Sequence, residues 1–207
     1  MRKHKWRAVA SVPVVALLIG ATLGAVRTEK LPCEVAEEWV EANIPSLPRT
    51  YSEFGSLSPL YRKAVYNRLT LDERVTLWRS QFDAILAGQR ELTPAQRAHI
   101  ELVASRLPVY LDGAAGRRAI KTDLVERRTE ALFGKEFGRT IFATLGPSLA
   151  ASVTPTNASV TIRFANCECH IGSAWSCESC ASGDCTTTAS GCGYLLCFSC
   201  NGKCAQS

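Results

Sequence analysis

Nine of the ten cysteines of this 207-residue chain stand after position 166: Cys167, Cys169, Cys177, Cys180, Cys185, Cys192, Cys197, Cys200 and Cys204. At a cysteine density of about one residue in five, such a stretch belongs to the cross-linked scaffolds. Between the cysteines lie mostly Gly, Ser, Thr, Ala and Asn, residues suited to turns. The large apolar residues are few: Ile171, Trp175, Tyr194, Leu195, Leu196 and Phe198. Burying these cannot offset the conformational entropy lost on ordering residues 165–207, so cross-links must hold the segment.

Two kinds of cross-link compete. Cys177-x2-Cys180 and Cys197-x2-Cys200 carry the spacing of a zinc ribbon, and His170 could add a ligand. A zinc site would use four of nine thiols and leave five, and Glu178 sits inside the first pair. Disulfides are the better reading, and no metal or cofactor is expected. The odd count leaves one cysteine unpaired, bridged to another molecule, or paired with Cys33 upstream. Which of the tail's cysteines pair with one another is open.

An oxidising compartment is consistent with the other end of the chain. Arg2, Lys3, Lys5 and Arg7 precede nineteen uncharged residues, Ala8 to Val26, the arrangement of a secretory signal. Pro13, Gly20 and Gly24 weaken the alternative, an uncleaved membrane anchor. The expected organisation is a signal peptide over 1–24, a helical pro-region over 25–146, a linker with the processing region over 147–164, and a mature module over 165–207. Charge follows the same division. Residues 27–164 hold 19 basic and 16 acidic side chains, whereas the tail has only Glu168, Glu178, Asp184 and Lys203. The basic balance thus belongs to the parts expected to be removed, and it does not point to nucleic acid.

The middle reads as short helices with their own start signals. Ser58-Pro59 and Thr93-Pro94 place a capping hydroxyl before a proline at the first helical position. Thr70 with Glu73, and Thr93 with Gln96, fit the reciprocal capping box. Leu71, Val75, Trp78, Phe82 and Ile85 form an apolar stripe, as do Ile100, Val103 and Leu107, and Phe137, Ile141 and Leu145. These describe a helical bundle with a thin core, its aromatics filling that core and His99 in a solvated or capping position. No G-x-S-x-G, H-E-x-x-H or phosphate-binding glycine loop occurs, so no enzyme is expected. From Gly146 to Val160 the chain is small, proline-containing and uncharged, a composition that proteases cut. Val160–Phe164 has the β-branched character of a short strand.

The tail opens Ala165-Asn166-Cys167-Glu168-Cys169, passes through Gly191-Cys192-Gly193 and closes Cys200-Asn201-Gly202. In this it resembles the bacteriocin fulvocin C-related proteins, precursors of small cysteine-rich bacteriocins. Cys33-Glu34-Val35 and Tyr61-Arg62-Lys63-Ala64 upstream are similar to their pro-regions. The resemblance implies a mature peptide beginning near Ala165, after Phe164, with all its cysteines bridged. Nine cysteines in place of an even eight depart from that pattern, with Cys200 and Cys204 the candidates for the extra one. The function expected is a secreted antibacterial precursor, handled by signal peptidase and a processing protease, acting on bacterial cells and meeting the membrane only during export. Trp175 and Tyr194 would be the apolar anchor on its target, or else plain core residues. A non-killing extracellular binding or inhibitor module, or a zinc-binding envelope protein, are the alternatives on the same scaffold.

Overall fold

The computed structural model describes residues 32–88, 91–146, 169–171, 173, 175, 180–182 and 188–204. The basic and apolar N-terminus, the 147–164 linker with its expected strand, the processing residues Phe164 and Ala165, and Cys167, Cys177 and Cys185 lie outside the described residues.

Eight α-helices occupy the described part up to Gly146: α1 (Pro32–Ala42), α2 (Tyr51–Ser56), α3 (Pro59–Arg68), α4 (Leu71–Ala87), α5 (Pro94–Tyr110), α6 (Gly113–Thr122), α7 (Val125–Phe133) and α8 (Lys135–Phe142). Side-chain chemistry sets their starts. The Thr70–Glu73 and Thr93–Gln96 capping boxes close both reciprocal bonds, and Thr50 with Glu53 forms a third that opens α2. Ser58 precedes Pro59 at the start of α3 but makes no side-chain cap. Along α4 the buried stripe is Val75, Trp78 and Phe82, while Leu71 lies exposed in the first turn. Ile100, Val103 and Leu107 are wholly buried on α5, and Ile141 and Leu145 near α8. α1 packs on α3, α4 on α5, α5 on α6 and α7 on α8.

Two polar side chains secure the end of this helical body. Arg62 is buried, donating Nε to Leu57 O at 2.8 Å, Nη1 to Leu145 O at 3.0 Å and Nη2 to Gly55 O. Gln81 donates Nε2 to Ile141 O and Thr144 O at 2.8 Å each, and its Oε1 accepts from Gly146 N at 2.8 Å. Gly146 itself has φ +102°, and a Cβ there would lie 2.8 Å from Arg62 Nη1, so only glycine serves. The chain is thereby fixed up to the residue where the linker composition begins.

The cysteine-rich segment has little regular structure. β1 (Cys180–Ser182) pairs antiparallel with β2 (Gly202–Cys204), with Cys180 opposite Cys204 and Ala181 opposite Lys203. Single bridges join Cys169 to Gly202 and Cys192 to Phe198, and Tyr194–Leu196 makes one 3-10 turn. This segment does not enclose a core of its own large residues. Trp175, Tyr194, Leu195, Leu196, Cys197 and Phe198 belong to one continuous apolar cluster with Phe54, Trp78, Phe82, Leu107 and Phe142 of the helices. The helical core is thin only when counted without the tail.

Candidate functional site

The site is the seam where the tail enters the helical body, and its geometry begins with Gly193 at φ +69°. That residue turns the chain so that Tyr194, Leu195 and Leu196 enter the helices, all three buried. Leu195 and Leu196 then stand at φ 53° and 54°, left-handed conformations that cost a non-glycine residue about 1–3 kcal/mol each. Bonds on every side hold them there. Gly191 N donates to Leu196 O at 2.8 Å, Cys192 and Phe198 exchange backbone bonds at 3.0 Å, and the Cys192–Cys200 disulfide closes the loop.

From the helices, Tyr66 Oη donates to Leu195 O at 3.1 Å and accepts from Trp78 Nε1 at 3.2 Å. Asn67 Oδ1 accepts from Ser190 N at 3.2 Å and from Ser190 Oγ at 2.6 Å. Arg117 Nη1 donates to Cys197 O at 3.3 Å. The Tyr194 ring stacks on Phe142, centroids 5.4 Å apart and planes 9° from parallel, and meets Trp175 edge-on at 5.3 Å. Trp175 reaches that position because α8 carries glycine at 138: a Cβ there would lie 2.9 Å from the indole. The two aromatics expected as an anchor for an outside target are thus buried against the chain's own helices.

A buried polar chain runs through the same place. Thr129 Oγ1 donates to Val125 O at 2.9 Å and lies 2.7 Å from His99 Nε2 and 2.9 Å from Tyr194 Oη. With its one proton committed, the hydroxyl accepts from both neighbours, which places the imidazole proton on Nε2 and leaves buried Nδ1 bare. His99 is therefore not a solvated or capping residue, as its sequence context suggested, but a buried one at 1% exposure. Desolvation, aided by Arg128, lowers its pKa from 6.5 to about 4 and keeps the ring neutral. Burial also raises the Glu126 carboxyl, which the Ser173 hydroxyl approaches at 3.4 Å and partly compensates.

The sulfur chemistry divides within the tail. Cys169 is bridged to Cys180 and Cys192 to Cys200, and Cys204 is disulfide-bonded as well. Cys200 and Cys204, the expected surplus cysteines, are both consumed. Among the described residues of the tail the thiol is Cys197, buried at the seam, with its Sγ 3.3 Å from Tyr110 O. Burial pushes that thiol up to about 12, against the opposing pull of Arg74 and Arg117, so it carries no thiolate at neutral pH. Cys33 stands half-buried as a thiol in the first turn of α1, where burial raises its pKa. Of the four cysteines with zinc-ribbon spacing, Cys180 and Cys200 each spend their sulfur in a disulfide. His170 donates its Nδ1 proton to Ser199 O at 2.9 Å, and its ring lies 5.2 Å from that of Phe198.

Sequence reasoning did not find the residues that receive the tail: Tyr66, Asn67, Arg117 and Thr129. One signal was available. Gly138 interrupts the last helical stripe, and a glycine inside a helix marks a close approach by something large. Fold and site together define a helical body that receives a disulfide-bridged segment of its own chain. No family model, no curated protein and no solved structure matches this sequence.

Proposed function

We propose that the chain is a secreted precursor of a disulfide-stabilised antibacterial peptide of the fulvocin C-related kind. In this reading the helical body is a pro-region that holds residues 165–207 docked and silent. Cleavage near Phe164 and Ala165, after export, then allows release. The observation that carries the reading is the burial of Tyr194, Leu195 and Leu196 in the helical core. A peptide whose few large apolar residues are sheltered by another part of its chain cannot present them to a bacterial surface. Those same residues are the natural contact surface once freed, since buried aromatics dominate binding sites. The tail's acidic balance argues for a specific target over plain attraction to anionic membranes.

The test is to recover the exported product, measure its intact mass and assay it against related bacteria. A tail-sized peptide that inhibits growth, with the uncut chain inactive and activity lost on reduction, is the expected result. Full-length product that inhibits without cleavage would overturn the reading. A released tail that binds cells or an enzyme without stopping growth would favour the extracellular inhibitor instead.

A further inference from the structure

Arg74 of α4 and Arg117, Arg118 and Lys121 of α6 converge with His170 of the tail on a cleft of about 890 Å³ at the seam. Arg118 and Lys121 are exposed, while Arg74 and Arg117 are half-buried and held in direction. Arg74 donates to Tyr66 O at 3.1 Å and to Asn67 O at 3.2 Å, with its guanidinium 4.9 Å over the Tyr66 ring. Arg117 is oriented by Cys197 O. These acceptors are neutral, so they aim the two charges without cancelling them. Among the described residues no carboxylate lines the cleft or touches any of the four cations, and Glu126 attracts only Lys121, from outside the cleft. Leu196 and Phe198 form an apolar part of the wall.

Forked guanidiniums flanking a lysine suit phosphate oxygens. The space far exceeds one orthophosphate, given that a water molecule occupies about 30 Å³. We propose that this cleft binds a soluble molecule bearing two or more linked phosphates. The cleft exists only while the tail is docked, because Leu196, Phe198 and His170 supply one of its sides. Bound ligand therefore opposes separation of tail and helices. At a ligand concentration one hundred times its Kd, the ratio of docked to undocked chain rises roughly a hundredfold. The proposal does not depend on what the tail does once free.

The experiment takes the full, oxidised chain and titrates it with inorganic pyrophosphate at constant ionic strength. Binding is followed by calorimetry and undocking by the alkylation rate of Cys197. Saturable binding that slows alkylation is the expected result. In the Arg118→Glu/Lys121→Glu chain, whose changes lie on exposed side chains, affinity should drop at least about tenfold with helicity by circular dichroism intact. Arg118→Lys should retain most of it. Sulfate matching pyrophosphate, unchanged affinity in the doubly reversed chain, binding without slower alkylation, or binding to phosphatidylglycerol vesicles but not to pyrophosphate would each overturn the proposal.

Discussion

The described residues of the helical part, up to 146, and those of the tail, from 169 on, are stabilised by different means and finished by the same core. The helical part relies on stripes of Ile, Leu, Val and aromatic residues, with three capping boxes fixing where helices start. The tail relies on disulfides, with two three-residue strands as its only regular sheet among the described residues. Yet the large apolar side chains of the tail, exposed Ile171 apart, lie in the helical cluster and not in one of their own. A sparse segment can therefore be doubly secured: sulfur limits the conformations it can take, and a neighbouring body supplies the apolar contacts that it lacks.

Four changes would break or sharpen this contrast. Tyr194→Ala has the largest expected effect, about 4 kcal/mol in chemical denaturation, as for other large buried aromatics. It should also quicken alkylation of Cys197 and lower the stability of the helices, which a self-contained tail would not do. Acid comes next. As pH falls through 6.5, the unfolded chain protonates at His99 while the folded chain cannot until about pH 4. Stability is therefore lost across that window, by roughly 3 kcal/mol for this group. Glu126 acts in the opposite sense, since a raised carboxyl gains its proton first in the folded state. Comparing denaturation against pH for the chain and for His99→Gln isolates the histidine, and the variant should show the shallower acid loss.

Removing the Cys192–Cys200 bridge with paired serines should cost about 2.5 kcal/mol, from a sequence separation of 8. Circular dichroism should still report the helices, while Cys197 becomes accessible. Smallest is the test of the caps. Thr70→Ala should cost about 1 kcal/mol in thermal or chemical unfolding, and Ser58→Ala only a few tenths, since the Ser58 side chain caps nothing.

What could be read from the sequence follows the range of the interactions. The α4 and α5 helices were legible because caps and stripes are local: Thr70 and Glu73 are neighbours, and Ile100, Val103 and Leu107 share a face whatever lies opposite. The Thr50–Glu53 box was equally local but opens a helix of only six residues, Tyr51–Ser56, too short to show a stripe. His99 was misplaced because its partner, Thr129, lies 30 positions away on another helix. The odd cysteine count was legible, but not that Cys197 is the thiol among the tail's described residues. Cys197 is spared pairing by a pocket made from Tyr110, Leu195 and the seam arginines, which no spacing rule reveals. Docking of the tail as a whole belongs to this second kind.

Among the described residues the tail's grip on the helices is noncovalent, with the Cys169–Cys180 and Cys192–Cys200 bridges both inside the tail, so cutting the connector would not by itself part the two pieces. What changes at the cut is concentration. A tethered partner is present at an effective millimolar level, whereas a nicked pair holds together only as well as its own affinity allows. Dilution then becomes the trigger: at high concentration the halves stay mated, and in dilute solution they drift apart.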